Sequence, residues 1–301
     1  MVESPEQNSD DAKRALIAGA GGLLGRFMAD RLEAAGWSVF AFPHAALDIC
    51  EEKDVSARFA ESRPDLVVNC AATTDVDRCE RDRDWAHAVN VQGPRLLAQH
   101  CNSNGADLVH ISTDYVFDGL KGTPYTQEDE PNPLSVYAET KLAGELVVRE
   151  EAKRFYIVRS SWIFGLGGEN FRSLVIEYAR QGARLRAVTD QISIPTYAPD
   201  LAARICEVVG LRAHGLYHIT NTGPTSWFDF ARLALDLAGL GHLELEPVNR
   251  EALKQVATRP RDTSMRCLVS ENLGLPPLRH WRDALEDFVR QYETRAAAPD
   301  V

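Results

Sequence analysis

Through the first half of this 301-residue chain, short apolar runs alternate with stretches that carry apolar residues at helical spacing. The runs fall at residues 15–18, 39–42, 66–70, 108–111 and 155–158, each short enough to be a strand buried on both faces. Strands that alternate with helices at such intervals assemble as a parallel sheet, because each helix carries the chain back to the same end of the sheet. The pattern therefore predicts an α/β fold with a doubly wound parallel sheet. Ligands of such sheets bind beyond the carboxyl ends of the strands, so the residues that close each run are where chemistry is expected.

The first run leads into Gly19-Ala20-Gly21-Gly22-Leu23-Leu24-Gly25, after which Leu24, Phe27, Met28, Leu32 and Ala35 recur at helical spacing. In a strand, glycine turn and helix of this kind, Gly19 permits the tight turn and Gly22 lets backbone approach a pyrophosphate. Gly25 allows the helix to pack closely on the strand. The helix start adds free N–H groups and the positive end of a dipole for that anion. The unit reads as a Rossmann-type dinucleotide site, with NADPH or NADH as cofactor. The second run ends Phe42-Pro43-His44, where an acid often meets the ribose 2′-hydroxyl; the nearest here is Asp48. That omission, with Arg26 just after the third glycine, favours NADPH. The third run ends Asn69-Cys70-Ala71-Ala72-Thr73, small residues against which a cofactor can lie.

The chemistry gathers in residues 109–145. Tyr137 and Lys141 stand four apart in a segment that reads as a helix start, after Asn132-Pro133, so phenol and ammonium share a face. A nearby cation is expected to lower the tyrosine pKa from about 10 and let Tyr137 exchange a proton. Upstream, Ser112-Thr113 closes the fourth strand and turns its hydroxyls toward the crevice.

Net charge −11 argues against nucleic acid or an anionic membrane as partner, and no run approaches the ~18 apolar residues of a membrane span. An anionic ligand then needs local arginines, and Arg259, in the loop Arg259-Pro260-Arg261-Asp262, suits bidentate phosphate contact. His214 and His218 have no carboxylate or cysteine to complete a metal set, so no metal site is read. The six scattered cysteines lack a C-x-x-C pair and read as reduced thiols of a cytoplasmic protein. Trp227 and Trp281, each starting a helical stretch, read as core or lobe-packing residues.

Residues 1–13 are polar and acidic and read as a disordered tail, and 14–164 as the NAD(P)-binding domain. Residues 165–195 and 223–295 carry helices at 170–181, 226–238 and 281–291 among short strands, a smaller mixed α/β lobe for substrate. Part of 196–222 is expected to return to the first domain.

With these residues assembled, the chain resembles the extended short-chain dehydrogenase/reductase superfamily and, more narrowly, the dTDP-4-dehydrorhamnose reductases. The segments that carry the resemblance are GAGGLLGR, LDI, PDLVVNCAATTDVDRCE, AVN, HISTDYVFDG, PYTQEDEPNPLSVYAETKLAGE, RSSWIFG, DQISIPTYAPDL, GLYHITNTG and TRPRD, in order along the chain. The resemblance implies NAD(P)H-dependent reduction of the 4-keto group of dTDP-4-dehydro-L-rhamnose to dTDP-L-rhamnose, by a monomer or homodimer. It implies Thr113, Tyr137 and Lys141 as the catalytic trio, with Thr113, Asp114 and Trp162 on the sugar nucleotide. The cofactor would rest on Gly22, Leu23, Leu24, Asp48, Ile49, Ala72, Thr73, Thr74, Tyr137 and Lys141. Ala138 stands where the family usually has glycine, and Ser193-Ile194 where a glycine-containing turn is expected. Phe27 occupies the place of a glutamate that binds magnesium in some relatives, so no metal is carried over. Two other readings stay open: another sugar-nucleotide epimerase, dehydratase or reductase of the superfamily, or a non-catalytic regulator similar to the regulatory subunit of methionine adenosyltransferase.

Overall fold

The computed structural model describes residues 12–168, 170–253 and 255–297; the tail expected at 1–13 lies outside the described residues through residue 11. Strands β1 (Arg14–Ala18), β2 (Ser38–Phe42), β3 (Leu66–Asn69), β4 (Asp107–Thr113) and β5 (Phe155–Ser160) run parallel in one sheet. Their connections carry α1 (Leu23–Ala34), α2 (Glu52–Ser62), α3 (Val76–Arg81), α4 (Arg83–His87), α5 (Gly93–Asn104) and α6 (Val136–Glu151). The helical stretch expected over 82–101 is broken by a π-turn at Ala88–Gln92 between α4 and α5. Such turns insert one residue per helical turn and often sit at functional sites.

Beyond β5 come β6 (Ile163–Phe164), α7 (Phe171–Arg180), β7 (Leu185–Val188), β8 (Ile192–Ser193), β9 (Thr196–Tyr197) and α8 (Ala198–Gly210). Then follow β10 (Gly215–His218), β11 (Thr225–Ser226), α9 (Trp227–Leu237), β12 (Leu245–Val248), α10 (Leu268–Asn272) and α11 (Trp281–Ala297). β10 pairs in parallel with β5, giving a six-stranded sheet in the order β2-β1-β3-β4-β5-β10. The direction of winding reverses between β1 and β3, the switch point at which such sheets open a ligand crevice. Three further strand pairs, β6 with β9, β7 with β12 and β8 with β11, build the smaller lobe.

The burial follows the sequence pattern. Leu24, Met28 and Leu32 of α1 pack with Leu201, Ile205 and Val208 of α8 against Ile17 and Val68 of the sheet. Leu201 is wholly buried there, so its truncation to alanine would cost about 2–5 kcal/mol. The second lobe has its own aromatic core of Phe164, Tyr197, Phe230, Trp281 and Phe288. Trp281 is the packing residue its sequence position suggests; Trp227 is not, and is taken up below. All six cysteines carry free thiols. Among the described residues no helix is long and apolar enough to cross a membrane.

Candidate active site

The carboxyl ends of β1, β3, β4 and β5 open onto a crevice of about 620 Å³ whose far wall is the second lobe. Thr113 closes β4, while Tyr137 and Lys141 lie in the first turns of α6, and all three line that crevice. α6 begins where it does because Ser135 caps it, its hydroxyl accepting from the Ala138 N–H, and because the Val136 N–H donates to Glu80 at 2.8 Å. The alanine at 138, in place of the family's glycine, is buried without disturbing that cap.

The electrostatics differ from the sequence expectation. Burial drives the Tyr137 pKa up from 10, and a hydrogen bond with Thr113 offsets only part of that. Lys141 does not reverse it, because its ammonium donates to the Ile111 carbonyl at 2.6 Å. Burial also lowers Lys141 itself to about 8, against the opposing charges of Glu145 and Cys70. Tyr137 is therefore a protonated phenol in the ligand-free chain, a proton donor held ready rather than a phenolate. Desolvation decides the sign here, as it does for any buried acid whose countercharge is directed elsewhere.

One turn beyond Lys141, Glu145 forms a buried two-bond ion pair with Arg159, at 2.8 and 2.7 Å, and accepts from the Ser112 hydroxyl at 2.5 Å. Arg159 donates onward to Nε2 of His218 at 3.4 Å, and His218 Nδ1–H faces the carbonyls of Arg266 and Tyr125. That arrangement requires neutral His218, whose pKa burial and the Arg159 charge lower to about 3. His214 points instead to Asp107, so the two histidines share no ligand position. Asn90, in the π-turn, accepts from the Thr73 N–H and donates to Thr140, both at 3.1 Å, tying the β3 loop to α6.

The turn after β1 suits a dinucleotide. Gly19 has φ +75°, and a Cβ there would lie 2.6 Å from the Ala71 nitrogen. A Cβ on Gly25 would lie 2.8 Å from the Ala20 Cα, so α1 can sit on the turn only as glycine allows. Gly22 is the N-cap residue of α1 and offers no side-chain cap, and Gly22, Leu23 and Leu24 line the crevice, leaving first-turn N–H groups for an anion. Ala72 and Thr74 line the same wall.

Other sequence-predicted residues sit elsewhere. Thr73 is buried with its hydroxyl 3.8 Å from the Cys79 sulfur and does not line the crevice. Asp48 accepts from the Cys50 N–H at 2.9 Å, and Ile49 is buried against Gly93; neither reaches the crevice lining. Arg26 donates to the Gly167 carbonyl at 2.5 Å, across to the second lobe.

Asp114 lines the crevice, but its carboxylate is committed to Ser193, at 2.9 Å, and to Thr263. Burial pushes its pKa up to about 6 against those bonds and one from Thr113. Ser193, in the place of the expected glycine turn, thus has a partner of its own. Arg259 lines the crevice and forms a bidentate pair with Asp77 at 2.9 and 3.1 Å. Trp162, two residues beyond the end of β5, sits in the left-handed region at φ 45°, a costly conformation for a bulky residue. Its ring lies 5.0 Å from that of Trp227, which lines the crevice rather than the lobe core. Arg186 and Gln191 join the same wall.

Comparison with known proteins fixes the family. Residues 13–294 match the family model described as the RmlD substrate binding domain. The chain belongs to the RmlD family. A dTDP-4-dehydrorhamnose reductase of Streptomyces griseus is 40% identical over 292 residues, covering 95% of this chain and 96% of the relative. The spore coat polysaccharide biosynthesis protein SpsK of Bacillus subtilis is 37% identical over 280 residues, covering 92% and 97%. The crystal structure of dTDP-4-dehydrorhamnose reductase from Bacillus anthracis in complex with NADP superposes with a TM-score of 0.90 at 34% identity, covering 93% and 99%. The fold is thus shared over nearly the whole chain.

Proposed function

We propose that this RmlD-family chain reduces the 4-keto group of dTDP-4-dehydro-L-rhamnose to give dTDP-L-rhamnose, using NADPH in preference to NADH. One observation carries the reading: Thr113, Tyr137 and Lys141 face a single crevice bounded on one side by the glycine turn and on the other by the second lobe. The missing acid after β2 and the NADP-bound Bacillus anthracis relative support NADPH.

When bound, the reduced nicotinamide supplies the hydride. The chain supplies position and the proton. Gly22, Leu23 and Leu24 hold the pyrophosphate at the start of α1, with Ala72 and Thr74 as the floor. Tyr137 donates its proton to the carbonyl oxygen as charge develops there, and its raised pKa keeps that proton available. Thr113 donates a hydrogen bond to the same oxygen. Lys141 keeps one ammonium proton on the Ile111 carbonyl and turns another toward the phenolate left behind, which regains its proton from solvent. Trp162 and Trp227 form the aromatic end of the crevice, and Arg259 meets the nucleotide. Burying the reaction between the lobes strengthens each of these polar contacts.

The test is spectrophotometric: oxidation of NADPH and of NADH is followed with enzymatically prepared dTDP-4-dehydro-L-rhamnose. Net stoichiometric consumption of reduced cofactor is expected, faster with NADPH. An epimerase or dehydratase would consume none, and a non-catalytic regulator would leave the sugar unchanged.

A further inference from the structure

Arg259 is anchored at two ends by two different parts of the molecule. Its main-chain carbonyl accepts from Arg250 at 2.7 Å, and Arg250 in turn pairs with Asp190, so the backbone is held by the second lobe. Its guanidinium is held by the sheet domain, through Asp77 on α3. Asp77 Oδ1 accepts from Nη1 of Arg259 at 2.9 Å and from the N–H groups of Val256 and Ala257 at 3.0 and 2.9 Å. Oδ2 accepts from Nη2 at 3.1 Å. On the same short helix, Glu80 holds the first N–H of α6, next to Tyr137. α3 therefore ties the wall that carries the phenol to the wall that carries the arginine.

The hydrogen bonds of Arg259 leave one edge over. Nη1 also donates to the Ala257 carbonyl at 2.9 Å, which occupies both of its protons. Nη2 gives one proton to Asp77. Among the described residues, what remains is the edge formed by Nε–H and the second Nη2–H, a fork that matches two oxygens of a phosphate. We infer that Asp77 is a positioning residue for substrate: it grips the far edge of Arg259 so that the Nε–Nη2 edge is presented to the diphosphate of the sugar nucleotide. The inference rests on the reading that Arg259 meets the nucleotide, and adds what aims it. Without the carboxylate, Arg259 keeps its charge but regains the rotamer freedom that an ordered fork has already given up.

The experiment titrates the intact chain with dTDP by calorimetry, comparing wild type, Asp77→Asn, Arg259→Ala and the double variant. The side-chain amide introduced by Asp77→Asn still offers an oxygen to the Val256 and Ala257 N–H groups, so the loop stays held, while the two-bond, charged grip on Arg259 falls to the single neutral bond from Nη1. Asp77→Asn is expected to weaken dTDP binding about 10-fold, and to add nothing in the Arg259→Ala background. In turnover the same variant raises KM for the sugar nucleotide while kcat and NADPH affinity stay close to wild type. Loss of affinity in Arg259→Ala with none in Asp77→Asn would overturn the inference and leave the role of Arg259 standing. Unchanged affinity in both would overturn both. An effect of Asp77→Asn that persists without Arg259 would assign Asp77 to the loop alone, and so also overturn it. Should Asp77→Asn fail to fold by thermal melting, Asp77→Ser takes its place, keeping an oxygen acceptor beside the loop while removing the carboxylate; wild-type dTDP affinity in that variant would overturn the inference, and a similar 10-fold loss that vanishes in the Arg259→Ala background would support it.

Discussion

The Lys141 ammonium donates to the carbonyl of Ile111 at 2.6 Å, two residues before the strand closes on Thr113. A main-chain acceptor on β4 thus sets where the charge sits beneath the catalytic helix. Burial has brought its pKa to about 8, so the free enzyme loses the cation as pH rises through that value. The kcat/KM profile is expected to fall on the alkaline side near pH 8, and Lys141→Met to lie on the order of 10² below wild type without that limb. A profile flat to pH 10 in wild type would count against the assignment.

Glu145 and Arg159 are both buried, and removing one leaves the other charge unpaired. Glu145→Gln is therefore expected to cost about 3–5 kcal/mol in denaturant unfolding. Loss of less than about 1 kcal/mol, the range of exposed pairs, would show that the pair is solvated in solution.

His218 links this pair to acid stability. Its folded pKa is about 3, lowered by burial and then by Arg159, against about 6.5 in the unfolded chain. Between those values the unfolded chain binds more protons, so stability falls as pH drops from 6.5 toward 3. His218→Gln, which keeps an acceptor for Arg159, is expected to flatten that part of the melting-temperature profile. An unchanged slope would place the acid sensitivity elsewhere.

How far the site can be read in the sequence depends on whether a residue acts through its local pattern or through a distant partner. The glycine turn, the five strands and the Tyr137–Lys141 spacing are local, and each stands in the structure within a few residues of its expected place. Trp227 reads as packing because a tryptophan at a helix start carries no sign of what it faces; only the fold sets it beside Trp162. The direction of the Tyr137 shift escapes the sequence for a similar reason. Spacing shows that phenol and ammonium share a face, but the burial that raises the phenol and the Ile111 carbonyl that draws off the ammonium are tertiary facts. Glu145 leaves a signal, one helical turn after Lys141, and Asn90 leaves one in the AVN segment, yet neither role is visible until Arg159 and Thr73 come to meet them. Arg259 is legible as a phosphate candidate, while Asp77, 182 residues away, is not.

Cofactor choice offers a separate test. Arg26 stands just after the last glycine of the turn and donates to the Gly167 carbonyl. If it also meets a 2′-phosphate, Arg26→Ala raises KM for NADPH about 10-fold, the value of one charge-assisted contact, and leaves KM for NADH unchanged. An equal effect on both cofactors would assign Arg26 to holding the Gly167 loop.

The most direct test is Tyr137→Phe, which deletes one oxygen from a buried ring and little else. Cofactor oxidation with dTDP-4-dehydro-L-rhamnose is measured alongside the dissociation constant for NADPH. The expected result is a kcat lower by a factor on the order of 10² to 10⁴ with NADPH affinity preserved. Turnover equal to wild type, with the cofactor bound as tightly, would contradict Tyr137 as the proton donor.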